Sequence, residues 1–455
     1  WIKINTEMDL DAQTIKTYYN GAVLNSGTWG GTKEIAGIDF WSPAETAPVY
    51  YDDLLFAPAI NRRFTWDGDA GDWADLHDAT NSHWIESVAG VITPEIPAFD
   101  PGVMIGDEVV VGSGAVTVNV DQSAYSLTIA DGSVTIGPGA TLRIHDATVV
   151  TQPGALAIDG ALETNSIAND VGATSLGAGA TLKTVSGALA SINAAGDATF
   201  DGGATATALV LAPGSTFAKA GAGALDVSGA GAIDASNTIR IDGGELRLRA
   251  VNPLNGATLA FNGGTFTADF GTDMSGSSVS VTADSALNPL AAATAAFGAL
   301  TCDADGVLTA GGTAPGITFT RTSVAAGVSG GVVVADAQTA DLGPVTVADG
   351  GVLILGAGVS YDSLTLPAGS GVSGGIGTTA GQTLVLKNYS DGAGTDNKTL
   401  LIGGQGTVSL DPATTDVDHT TIKIIGGTLE MGSVRPQGLT LAGGGMLGAA
   451  YVNEQ

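Results

Sequence analysis

Three groups of carboxylates lie close enough along the chain to hold a cation. Asp67, Asp69 and Asp72 form D-x-D-x-x-D, Asp303 and Asp305 precede Gly306 as D-x-D-G, and Asp391 and Asp396 adjoin Asn397. Oxygen-rich turns of this kind suit Ca²⁺, a hard ion that takes carboxylate and carbonyl ligands. No Glu completes an EF-hand at any of them, and the same residues serve equally well as Asx-turns and strand corners. Calcium is therefore the only cofactor these residues suggest, and the seven aspartates are its candidate ligands. Other chemistry has less to stand on. His77, His83, His145 and His419 form no H-E-x-x-H and have no zinc partner at ligand spacing. Cys302 has no base near it in sequence. There is no P-loop, and the glycine-rich runs lack the lysine that would touch phosphate. Arg240, Arg247 and Arg249 stand near Asp242 and Glu245, as a uronate-cleaving lyase would need. Their alternation along strands reads instead as one solvent face. The expectation is a protein with no catalytic residues.

A different candidate surface is aromatic. Trp29, Trp41 and Tyr18 offer flat faces on which a sugar ring stacks, and equally the bulk that fills a sheet core. All six tryptophans fall at or before Trp84. Beyond them Ala, Gly, Val, Thr and Leu take over, which marks a boundary in organisation.

The elements that must position these residues read as strands. Asn237 to Leu248 and Gly256 to Thr267 are the same unit written twice, and Thr421 to Met431 repeats it. Each copy is a strand, a glycine pair (Gly243-Gly244, Gly263-Gly264, Gly426-Gly427) and a second strand, with apolar residues alternating on both sides. A strand–turn unit recurring at about 20 residues is the signature of a solenoid, in which each rung buries its apolar row on the next. On that spacing the region after residue 112 holds on the order of 17 rungs, a rod on the order of 80 Å long at the strand spacing of a sheet. The first 58 residues read as four strands: Thr14–Tyr19, which runs into the hairpin signal Asn20-Gly21, together with Trp1–Ile4, Ile35–Trp41 and Tyr50–Phe56.

Two resemblances sharpen this. "D-L-D-A-Q-T-I-K-T-Y-Y-N-G", "I-D-F-W-S" and "Y-Y-D-D-L-L-F" look like the last strands of a concanavalin/laminin-G-like jelly roll. The run Phe64–Trp73, Asn81–Trp84, Asp100-Pro101-Gly102, Gly106–Gly112 and Ala115–Val120 resembles the entry segment of autotransporter-like bacterial surface β-helix proteins. Ser215–Gly229, leading into the glycine-pair unit, resembles their passenger-associated repeat. The resemblance implies an all-β chain: a partial jelly-roll β-sandwich over 1–58, an aromatic-rich junction and cap over 59–112 with Trp66, Trp73 and Trp84 closing the first rung, and a right-handed β-helix rod over 113–455. It implies an extracellular structural or adhesive protein of a bacterial surface or filament. Carbohydrate binding through the jelly-roll part, or a β-helix polysaccharide lyase or hydrolase, are the alternatives.

Composition sets the remaining bounds. With 46 acidic and 16 basic residues the 455-residue chain carries a net charge of −30, which argues against nucleic acid and anionic membranes as partners. No apolar run is long enough for a membrane helix. Hydrophobic residues make up 44%, too many and too regularly placed for a disordered chain. A single cysteine permits no intrachain disulfide, which many bacterial surface proteins also lack. Both ends read as unfinished: residue 1 starts inside a strand pattern, and residues 438–448 are still in rung rhythm. This suggests a fragment of a larger surface protein, or molecules joined head to tail into a homo-oligomer or filament. Cell-surface glycans are the other expected partner.

Overall fold

The computed structural model divides the chain into two compact units, residues 1–56 and 57–455. It describes residues 4–9, 14–19 and 22–28 of the first unit. In the second it describes 60–75, 82–86, 91–92, 96–100, 105–229, 231–250, 253–268, 273–334, 338–390, 397–417, 419–434, 436–442 and 445–448. Among these residues there is no helix.

The first unit contributes an antiparallel sheet of β1 (Ile4–Asp9), β2 (Thr14–Tyr19) and β3 (Ala22–Thr28). Thr, Tyr and Ile in β2 favour the extended backbone. β2 and β3 pair across residues 20–21 with Tyr19 opposite Ala22, the short connection an Asn-Gly pair promotes. The strands expected at Ile35–Trp41 and Tyr50–Phe56 lie outside the described residues.

The second unit is a parallel β-solenoid of about 15 turns spanning residues 108–447. Its strands alternate half-exposed and buried positions, as in Ser133–Ile136, Glu245–Leu248 and Thr407–Leu410. Strands of successive turns pair in parallel, so each residue lies beside the one a turn later. One inner row runs Leu142, Leu162, Leu182, Phe200, Lys219, Ile241, Phe261, Val281, Cys302, Val324. Every member but Lys219 is apolar or a thiol, and all are buried. Stacking like on like fills the interior with no helix to cover the sheet. Phe297 on Phe319 is one such step, with ring centroids 5.6 Å apart.

The turns are less uniform than a 20-residue rule implies. The step is 18 residues from Leu182 to Phe200, 26 from Ile376 to Ile402 and 17 from Ile424 to Leu441, because corners between strands differ in length. That is why about 15 turns form rather than 17. At roughly 4.8 Å per turn the stack extends about 70 Å.

The glycine-pair units lie on one another in this stack. Ile239 pairs beside Leu259 and Leu246 beside Phe266. Gly244 and Gly264 take φ of 61° and 83°, and a Cβ on Gly264 would fall 2.8 Å from the Gly244 carbonyl oxygen. Only glycine allows both the corner and the close approach of the next turn.

At the N-terminal side of the stack, Ile60–Trp66 pairs in parallel with Ile105–Val111 and antiparallel with Trp84–Glu86. Trp66, Trp73 and Trp84 are at most 2% exposed and form a cluster with centroid separations of 4.8 Å. Trp84 Nε1 donates to the Trp73 carbonyl and Trp66 Nε1 to that of Asp69.

The acidic surface has a structural use. Asp121, Asp197, Asp284, Asp305 and Asp349 each accept a backbone N–H at the start of a strand one turn later, its first residue or, for Val307, its second: Thr141, Thr216, Val307, Ser329 and Ser373, at 2.6–2.8 Å. A carboxylate at this corner satisfies a donor the ladder leaves open.

Candidate functional site

The solenoid wall changes register between Ile144 and Ala147 and steps again between Asn169 and Ala173. In the region of these long bent strands lies an open groove of about 890 Å³. Its floor is a column of outward side chains on successive turns. Ser123 pairs beside Arg143, Arg143 beside Glu163, Glu163 beside Lys183, and Lys183 beside Asp201. The charges therefore alternate in sign along the stacking direction.

Arg143 is compensated on both sides. Its Nη1 is 3.4 Å from an Asp121 carboxylate oxygen and its Nε is 3.5 Å from Glu163. The backbone N–H of Thr141, and then Arg143, hold the Asp121 carboxyl below its usual range. Lys183 and Asp201 form no ion pair with each other or with any other described residue. Asp201 does exert its field on Lys219, which lies inside the wall.

One end of the groove is aromatic. Phe99 stacks on His145 with centroids 4.4 Å apart and planes 16° from parallel, and Tyr125 is tilted against the same imidazole at 5.9 Å. Ser123 Oγ exchanges hydrogen bonds with the Phe99 backbone and ties this strand to the wall. Val185 is 74% exposed and adds an apolar strip. At the far end the lining is Gly202, Gly203 and Gly223, which leaves the backbone bare.

Inside the wall beside this groove, Lys219 is fully buried in an otherwise apolar row. Its Nζ donates to the carbonyls of Ala220, Gly221 and Gly243. Burial pulls its pKa below the usual lysine value, and Asp201 opposes that shift.

The candidate cation ligands lie in different surroundings. Asp67 and Asp69 stay together, but the third member is His83 rather than Asp72: their ligand atoms lie within 4.8 Å of one another. Asp67 Oδ1 accepts the Asp69 N–H, and Oδ2 is 2.7 Å from His83 Nδ1, whose ring stacks on Trp66. Two carboxylates and an imidazole suit a borderline ion such as Zn²⁺ better than Ca²⁺. Asp72 is committed elsewhere, to the N–H groups of Ala74 and Asn119. Asp303 accepts from Ser280 Oγ and Asp305 caps the strand at Ser329. Asp391, Asp396, Trp29 and Trp41 lie outside the described residues. For Tyr18 only its place in β2, beside Val23, is described.

Arg240 pairs with Asp242 at 2.9 Å, Arg247 with Glu245 at 3.6 Å, and Arg249 with Asp226 at 2.7 Å. These are neutralised pairs on the wall. Cys302 is 2% exposed, and burial pushes its thiol up to about 12. It fills the inner row as a small apolar residue would. The groove itself escaped sequence reasoning. Arg143, Glu163, Lys183 and Asp201 stand 20, 20 and 18 residues apart, and only the turn length makes them neighbours.

Comparison with known proteins adds no relative: no family model, no curated protein and no solved structure matches the chain.

Proposed function

We propose that the chain is an extracellular structural protein, a stiff β-solenoid spacer of a bacterial cell surface or filament of the autotransporter-like kind, with no catalytic step of its own. The observation that carries this reading is the unbroken parallel ladder of about 15 turns. Each turn is joined to the next by backbone hydrogen bonds along several walls and by a largely apolar interior. Such an array resists bending and sets a fixed length. The corner carboxylates leave an acidic, solvated exterior that suits a surface exposed to divalent ions and salt. Among the described residues no helix is long and apolar enough to cross a membrane.

The reading includes self-association. Leu439, Leu441 and Leu447 continue the inner rows of Ile422, Ile424 and Leu429, and Met446 lies beside the half-exposed Thr428, yet all four are 38–63% exposed. Exposed apolar side chains of this kind are where a second copy of the chain would associate. The reading assigns calcium no obligatory part. Its test is location and form. Surface-exposed, protease-accessible protein on intact cells supports the proposal, together with rods or filaments in negative-stain images that shorten on Leu441→Lys. Cytosolic protein that stays monomeric at all concentrations contradicts it.

A further inference from the structure

We propose that the groove running from Phe99 to Gly223 is a binding site for a neutral oligosaccharide lying along the solenoid axis. The inference does not rest on the spacer reading above and adds a recognition site to whatever the rod supports. Shape is the first argument. The column Ser123, Arg143, Glu163, Lys183, Asp201 covers four ladder steps, about 19 Å at the sheet spacing, so the groove takes an extended chain rather than a compact ligand. Its floor is made of side chains on sheet faces and not of a free strand edge. It offers no backbone ladder for a peptide to join.

Charge is the second argument. Positive and negative groups alternate at each turn, so a polyanion would meet Glu163 and Asp201, and a polycation would meet Arg143 and Lys183. Like charges brought together cost affinity. A ligand that carries hydroxyls and no charge suffers neither penalty. It also uses both kinds of group, because a hydroxyl donates to a carboxylate and accepts from an ammonium.

The third argument is that the floor has capacity left. Asp121, Arg143 and Glu163 compensate one another. Lys183 and Asp201, side by side one turn further, form no ion pair among the described residues. A vicinal diol spanning them would accept from Nζ and donate to the carboxylate. The exposed Val185 and the stacked Phe99–His145 pair supply the apolar and flat surfaces that the C–H face of a sugar ring packs on. Gly202 and Gly203 keep the far end clear for the chain to continue.

The test uses the full chain, with cellohexaose, laminarihexaose, mannohexaose and dextran as neutral probes, polygalacturonate as polyanion and chitosan as polycation. Binding is followed by isothermal titration calorimetry. At least one neutral probe binds, longer oligomers bind more tightly than the disaccharide, and Lys183→Ala with Asp201→Ala weakens binding at least tenfold. Lys423→Ala, on an exposed wall far along the stack, leaves it unchanged. Lys183 is exposed and Asp201 half-buried, and a cooperative circular dichroism melt above the titration temperature shows the variants fold. His145→Ala is a second, independent variant and weakens binding by removing the stacking face. Three results overturn the proposal: no neutral probe binds, only the polyanion or polycation binds, or neutral binding survives both variants.

Discussion

Leu182→Ala is the perturbation that reports most directly on interior stacking. Leu182 is fully buried and lies between Leu162 on one turn and Phe200 on the next, each also fully buried. Truncation removes three carbons and leaves a void that neither neighbour can fill without breaking its own ladder. Leu→Ala at such sites costs about 2–5 kcal/mol, and the rigid register of the flanking strands places this one in the upper half of that range. In a quasi-one-dimensional array the loss is local at first: it weakens two turn–turn interfaces and leaves distant ones intact. Native-state hydrogen exchange should therefore show protection falling over residues 162–202 while Leu400–Ile424 is unchanged, and urea unfolding should show the matching loss. Val185→Ala, three residues away but 74% exposed, is the internal control and should stay within about 0.5 kcal/mol of the parent. Equal effects of the two substitutions, or a loss of protection spread evenly over the whole chain, would refute the stacking argument.

Three further outcomes follow from the charged and nucleophilic groups. Lys219 has its folded pKa depressed by burial, so its cost is fully present below that pKa and is relieved as pH rises toward the unfolded value of 10.5. Thermal melts of the parent should show stability gained over that alkaline window, and Lys219→Met should lose the gain. Asp121, Asp226 and Asp349 have folded pKa values held below 3.8, chiefly by the Thr141 N–H, the Arg249 guanidinium and the Ser373 N–H respectively. Depressed carboxylates contribute stability that is present above the unfolded pKa and lost as pH falls through the folded one. The melting temperature should hold steady down to about pH 4 and fall below it, less steeply in Asp349→Asn, which keeps the acceptor without the charge. Cys302, with its thiol pushed up to about 12, should resist a water-soluble disulfide reagent at pH 8 until denaturant is added.

Much of the fold could be read in the sequence, because a solenoid repeats its reasons. Alternation in Ile239–Ile241 and Leu246–Leu248 gave the strands, the glycine pairs gave the corners, and the recurrence gave the stacking. The tryptophan-rich segment stood out for its bulk among small residues. What could not be read depends on register. Lys219 looks like an ordinary surface lysine until pairing with Phe200 and Ile241 turns it inward. Asp303 and Asp305 read as ion ligands, and only register shows that each also accepts a hydrogen bond from about one turn away, from Ser280 Oγ and the Ser329 N–H. His83 joins Asp67 only because the strand after residue 82 returns antiparallel to Ile60–Trp66. The charge column of the groove needs turn lengths of 20, 20 and 18, and the repeat alone gave only their average.

The central claim is that one residue per turn, each a fixed distance above the last, builds the second unit. Pulsed electron paramagnetic resonance on spin-label pairs tests it most directly, in a Cys302→Val background. Thr181, Thr199, Ala218, Arg240, Ala260 and Ser280 occupy one column at successive turns, followed by Thr301 and Ser323. Labels at Thr181 and Ser280 should lie about 24 Å apart. Moving the second label to Ser323 should add two steps, to about 34 Å, as the sheet spacing requires. Distances that fail to grow by about 4.8 Å per turn, or that are the same for both pairs, would contradict the solenoid.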